Sequence, residues 1–286
     1  MARQFARAYQ SEPISSLASW ARRLAVFSLV ATLVSIGIVR FGFLEFRPAI
    51  ATFFGALAFA ALSILIAFGA FIAIWHNGSR GMGRILAALL LDALILAYPA
   101  YLAYKYKTLP AIHDITTDPI NPPRFEALAR LRSGDGANTA VYAGLYSAEL
   151  QHAAYPDIEP VSLDMNAQKA YDTTLDLIKR RKWRIVDERP PLPPRREGKI
   201  EAVAYTPIMG FSEDIAVRVV PDGDGSRVDL RSASRYFEHD LGTNAARLTR
   251  LIDEINEADD DTNAKPVKKQ PTPASVRQAK GAATKR

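Results

Sequence analysis

The chain has 286 residues, 49% of them hydrophobic, a formal charge of +6 and no cysteine. The missing thiols exclude thiol catalysis, cysteine zinc centres and iron-sulfur clusters, and leave the compartment open. The charge is no nucleic-acid footprint, because seven basic residues and no acid fall in residues 265–286, leaving −1 on the first 264.

Three apolar stretches dominate the first hundred residues and predict a membrane domain over residues 1–106, with spans at about 24–39, 49–75 and 85–104. The second carries no charge. At 1.5 Å per residue it is about 40 Å long, against a hydrocarbon core of about 30 Å. The first is the shortest, at about 16 residues. A cleaved signal peptide competes for it, since a basic segment before a short apolar run is that signature. The long leading segment with Glu12, and no small-x-small site after Val39, favour an uncleaved span.

The third stretch holds one ionisable residue, Asp92, bracketed by Arg80 and Arg84 before and Lys105 and Lys107 after. An intramembrane acid points to a proton relay or to a basic group on another membrane protein. The plainer reading is a snorkelling pair with Arg84 or Arg80. Arg3, Arg7, Arg22, Arg23, Arg80 and Arg84 outnumber Arg40, Arg47, Lys105 and Lys107 on the other side, so the positive-inside rule predicts an extracytoplasmic carboxyl-terminal domain.

Residues 107–160 read as a proline-rich connector. Pro122 and Pro123 open a short amphipathic helix there, with Phe125, Leu128 and Leu131 on one face. Residues 161–258 read as one α+β domain. A helix over about 164–182 ends in Lys179, Arg180, Arg181 and Lys182, where cations suit the dipole. The period then shifts to two over 183–186, 200–205, 215–220 and 228–234, and a last helix covers about 243–255. Helix, four strands, helix predicts a small antiparallel sheet covered by two helices. Residues 259–286, three aspartates followed by Lys, Pro, Ala, Gln and Thr, read as a disordered tail that is either solubilising or an electrostatic tether.

Alternation in the last strand puts Val228, Leu230, Ser232 and Ser234 on one face, and Asp229, Arg231, Ala233 and Arg235 on the other. Arg218 joins from the preceding strand, and Asp240, Gly242, Asn244 and Arg247 cluster where the last helix begins. Arginines beside free helix amides suit an anion. The ligand-binding candidates are Arg218, Arg231, Ser232, Ser234, Arg235, Asp240, Asn244 and Arg247. The alternative is structural: the arginines pair with Asp214, Asp229, Glu238 or Asp240, and Asp240 or Thr243 caps the helix.

The runs "IEAVAYTPIMGFSEDIAVRV" and "VDLRSASRYFEHDLGTNAARL" resemble the bacterial domain of unknown function 1499 (DUF1499), at Thr206, Pro207, Asp214, Arg231, Ser232, Ser234, Arg235, Asp240, Gly242, Asn244 and Arg247. "HDITTDPINPPRF" is similar to its membrane-anchored branch. The resemblance covers about residues 112–256 and implies an architecture and a cell-envelope setting, with no established reaction. Some members carry cysteines near the domain start; "YPDIEPV" stands there here.

Other chemistry is sparse. His76, His113, His152 and His239 lack metal-ligand spacing. The "DGDG" run at 222–225 fits a hairpin turn better than a calcium loop. "PPLPP" reads as a stiff link between strands, and Asp114 and Asp118 as solvated acids or a weak cation site. No catalytic residue, metal or cofactor is indicated. The expected protein is an inner-membrane, multi-pass envelope protein whose periplasmic domain binds an anionic ligand or a protein partner. An envelope enzyme with Asp240 as base and an assembly subunit of a membrane complex are the alternatives. The lipid bilayer is the implied partner, and nucleic acid is not.

Overall fold

A computed structural model describes residues 13–132, 134, 136–193 and 196–264. The amino end packs three long helices, α1 (Ser16–Phe41), α2 (Phe46–Asn77) and α3 (Met82–Thr108), each long and apolar enough to cross a membrane. All three overrun the spans expected from composition. Arginine is a good helix former, so α1 continues back through Arg22 and Arg23 to the Ser15 cap. Gly42 and Gly78 end α1 and α2 in the left-handed region.

The helices meet through small side chains. Ala18, Ala21, Ala25, Ser28, Thr32 and Ser35 recur every three or four residues on α1, against Ala56, Ala60, Ser63, Ala67 and Ala70 of α2. Lipid is as apolar as leucine, so close backbone approach and hydrogen bonds hold such a seam. Ser28 donates across it to the Ala56 carbonyl (2.8 Å) and Ser63 to the Ala21 carbonyl (3.0 Å). Leu33, Leu65, Phe68, Leu90 and Leu94 face outward.

The rest of the chain builds a six-stranded antiparallel sheet: β1 (Asp114–Thr116), β2 (Val161–Leu163), β3 (Arg184–Arg189), β4 (Gly198–Tyr205), β5 (Ser212–Asp222) and β6 (Gly225–Ser234). The order is β1-β6-β5-β4-β3, and β2 also pairs with β6. The four expected strands run consecutively as β6-β5-β4-β3, with β3 at one edge, and β1 and β2 are additions on the outer side of β6. Residues 222–225 make the two-residue turn between β5 and β6. One face packs Ile200, Ala202, Ile215, Val217, Val228 and Leu230 beneath α5 (Ala167–Arg180) and α6 (Thr243–Ala264), which supply Tyr171, Ile178, Leu248, Leu251 and Ile255. The α+β class with two covering helices holds.

Three local expectations change. The helix after Pro123 is only one 3-10 turn, Leu128–Leu131, because Phe125 and Leu128 are pulled onto the second face of the sheet with Val203, Ala216 and Ala233. The connector forms α4 (Leu145–Ala154), whose buried Gln151 accepts from the Thr116 amide and donates to its carbonyl, closing the outer edge of β1. The connector is thus tied into the sheet through β1, Gln151 and the Phe125–Leu128 turn. The last helix also passes residue 258. Asp259, placed in the expected tail, accepts from the amides of Asp164 and Met165 (2.9 and 3.2 Å). The remainder of that tail, 265–286, lies outside the described residues.

The domain sits directly on the bundle. Arg40 Nη1, at the end of α1, donates to the carbonyls of Pro207 and Ile208 (2.7 and 3.1 Å) at the β4–β5 turn. Phe46, opening α2, stacks on Tyr236 at 4.0 Å. The span ends and the ends of β4, β5 and β6 therefore share one boundary layer.

Candidate functional site

The candidates on β5 and β6 divide between the two faces of the sheet, as period-two alternation requires, and Asp240, Asn244 and Arg247 at the start of α6 fall on the helix side. On the face away from the helices, Arg231 forms a two-bond pair with Asp114: Nε to Oδ1 at 2.9 Å and Nη2 to Oδ2 at 2.6 Å. Its guanidinium lies 4.4 Å from the Phe125 ring centre and 5.6 Å from that of Tyr142. Arg235 and Arg132 both grip the buried Asp214. Burial lowers the Arg132 pKa, partly opposed by Asp214. Arg218 stands directly opposite Asp229 in the ladder and pairs with it at 2.7 Å. Asp118 accepts from both Arg218 and Arg227. Asp114 and Asp118, expected as solvated acids or a cation site, are instead the counter-charges that hold the connector on the sheet.

Glu201 does the same without a cation. Almost wholly buried, it accepts the amides of Glu126, Ala127 and Leu128 at 2.8–3.2 Å, fixing the turn that carries Phe125 and Leu128.

On the helix face, Ser232, Ser234, Asn244 and Arg247 form a second network. Ser232 Oγ donates to Asn244 Oδ1, Asn244 Nδ2 donates to Ser234 Oγ, and Arg247 Nη1 reaches Ser232 and Asn244. Arg247 Nη2 pairs with Glu213, which also accepts from Thr243. Burial, and then the nearby Arg181 charge, lower Arg247 to about 10, so it remains cationic at neutral pH. Asp240 accepts the amides of Gly242 and Asn244 at 2.8 Å and so holds the start of α6. Its pKa is raised because burial outweighs those bonds.

The structure therefore joins Ser232, Ser234, Asn244 and Arg247, with Asp240 adjoining, and places Arg218, Arg231 and Arg235 across the sheet from them. Arg132, Glu201 and Glu213 are absent from the sequence candidates, and Asp114 and Asp118 stand outside the ligand-binding set. Charge alternation of Lys199 and Glu201 along β4 marks Glu201, whereas Glu213 falls on the apolar side of β5 with Ile215 and Val217, and the others lie in segments with no periodicity.

Between the connector and β4–β5 is a cleft of about 260 Å³ whose polar lining is Asn121, Arg124, Lys199 and Arg218 together with the carboxylates of Glu126, Glu197 and Glu201. Lys199 and Arg189 hold the Glu126 carboxyl down at about 2. Arg124 is exposed and has no acidic partner among the described residues. No group of three His, Asp or Glu able to hold a metal ion occurs among the described residues.

Asp92 is fully buried between the helices. The snorkelling pair with Arg84 or Arg80 does not form; Arg84 donates to Ser19 Oγ. Ser63 is the neighbouring hydroxyl and already donates to Ala21. Neither Asp92 oxygen has a hydrogen-bond partner among the described residues.

Residues 114–255 match the family described as "Protein of unknown function (DUF1499)". No curated protein matches the chain.

Proposed function

Because the chain belongs to the DUF1499 family through residues 114–255, whose description carries no activity, we propose a binding role: a multi-pass inner-membrane protein whose domain, on the extracytoplasmic side, captures a small anion. The observation that carries this reading is the contrast between committed and uncommitted cations. Arg218, Arg231, Arg235 and Arg247 each pair with an acid of the domain, while Arg124, at the mouth of the 260 Å³ cleft, does not. Asp240, the best candidate base, is engaged in holding a helix start. The arginines chosen from sequence thus build the scaffold, with Arg218 extending into the cleft wall. Asn121 adds an amide to the lining of the same cleft.

Calorimetric titration of the detergent-solubilised full chain with inorganic phosphate and with a short dicarboxylate tests this. Binding heat that disappears in Arg124→Ala supports it, and absence of heat from both anions overturns it. Alkaline phosphatase and a cytoplasm-maturing fluorescent protein, fused separately after Arg286, test the side of the membrane. Fluorescence without phosphatase activity reverses the orientation.

A further inference from the structure

The boundary between bundle and domain contains a second cleft, of about 280 Å³, lined on one side by Arg40, Phe41 and Phe46 and on the other by Tyr205, Phe211 and Tyr236. Its floor is aromatic: Phe46 stacks on Tyr236 and meets Phe211 and Phe237 edge-on at 5.9 and 5.0 Å. Of its lining, Phe41, Leu44 and Tyr205 are exposed, and Phe43, next to Phe41, Ile208, in the β4–β5 turn, and Phe237, against Phe46, are exposed as well. Soluble surfaces rarely expose a contiguous apolar patch of this kind.

The depth of this patch is set by the spans. Phe41 is the last residue of α1 and Phe46 the first of α2, so the cleft opens at the level where hydrocarbon gives way to headgroups. Amphipathic aromatic rings favour that level. Arg40 lies at the same height. Only its Nη1 is committed, to the carbonyls of Pro207 and Ile208, and no carboxylate pairs with it among the described residues. Its remaining N–H groups suit a phosphate. Gly210, with φ of 71°, lets the turn approach Arg40, since an added Cβ there would lie 3.1 Å from the Arg40 side chain.

We propose that this cleft is a phospholipid site. One lipid of the adjoining leaflet lays its glycerol end and upper acyl chain against Phe41, Phe46 and Phe211, with its phosphate on Arg40. The β4–β5 turn is thereby part of the membrane interface. The occupant is a lipid because the groove continues the lipid-facing surfaces of α1 and α2. The proposal holds whichever side of the membrane the domain faces and does not depend on the anion cleft at Arg124.

The cysteine-free sequence permits a direct test. Ser212 lines the cleft, so Ser212→Cys in the full chain is labelled with bimane and reconstituted in phosphatidylcholine nanodiscs. Lipid carrying a nitroxide high on its acyl chain is expected to remove most of the fluorescence, while aqueous iodide has little effect. Leu192→Cys, in the loop at the opposite end of the sheet, is expected to show the reverse. Arg40→Ala should restore much of the Ser212 signal in nitroxide lipid. Iodide quenching without nitroxide quenching at Ser212 overturns the proposal, as does an unchanged signal in Arg40→Ala. Leu65→Cys, outward-facing within α2, reports the bundle separately: lipid quenching there with none at Ser212 faults the cleft alone, whereas none at either overturns the membrane assignment and the cleft with it.

Discussion

Arg231 and Asp114 form a buried ion pair across 117 residues of sequence, each side chain 2% exposed. It ties β6 to the strand that leaves the membrane bundle. Removing one partner strands a charge in a dry site, at a cost of about 3–5 kcal/mol, whereas replacing both with apolar groups of similar volume is often nearly neutral. Asp114→Ala is therefore expected to destabilise the domain severely and Asp114→Leu with Arg231→Met to recover most of the loss, read from denaturant midpoints of the detergent-solubilised chain. Equal damage in the single and double variants would show that the pair does not hold the strand.

Acid should weaken the clamp at Glu126. Its pKa falls from 4.5 to about 2 through Lys199 and Arg189, so its contribution is present above pH 4.5 and lost as pH falls toward 2. The group is substantially exposed, and solvent and salt screen the effect. The stability difference between the natural protein and Glu126→Gln should shrink over that window and be smaller at high salt. A difference independent of pH contradicts the assignment.

Asp259 reaches back to two backbone amides from the far end of α6. Asp259→Ala leaves both without that acceptor, at about 1–3 kcal/mol. The expected signature is faster hydrogen exchange at Asp164 and Met165, with amides in β4 and β5 unchanged.

Within the bundle, Asp92 has burial without a hydrogen-bond partner. A polar group of that kind costs stability in lipid. Asp92→Ala is expected to melt in detergent at the same temperature as the natural protein or higher. A clear drop would reveal a partner that the isolated chain does not supply.

Sequence alone determined what depends on local period. Apolar runs specify the three long helices, alternation specifies the four longer strands β3 to β6, and the faces of β6 follow from residues 228–235 without further information. The short strands β1 and β2 were illegible because three residues carry no period. Helix α4 was equally hidden: it starts after Gly144 with no side-chain cap, and only Ser147 and Gln151 are buried along it. Asp259 looks like the start of a solvated tail until a loop 95 residues earlier offers it two amides. The same reason governs the arginines. Their residue type made both an anion site and a salt bridge reasonable, and only the sheet register, which brings Asp114 beside β6 and Asp229 opposite Arg218, decided their partners. Charge pairing in a protein interior is set by distances across the fold, and those exist only once strands far apart in sequence have been laid side by side.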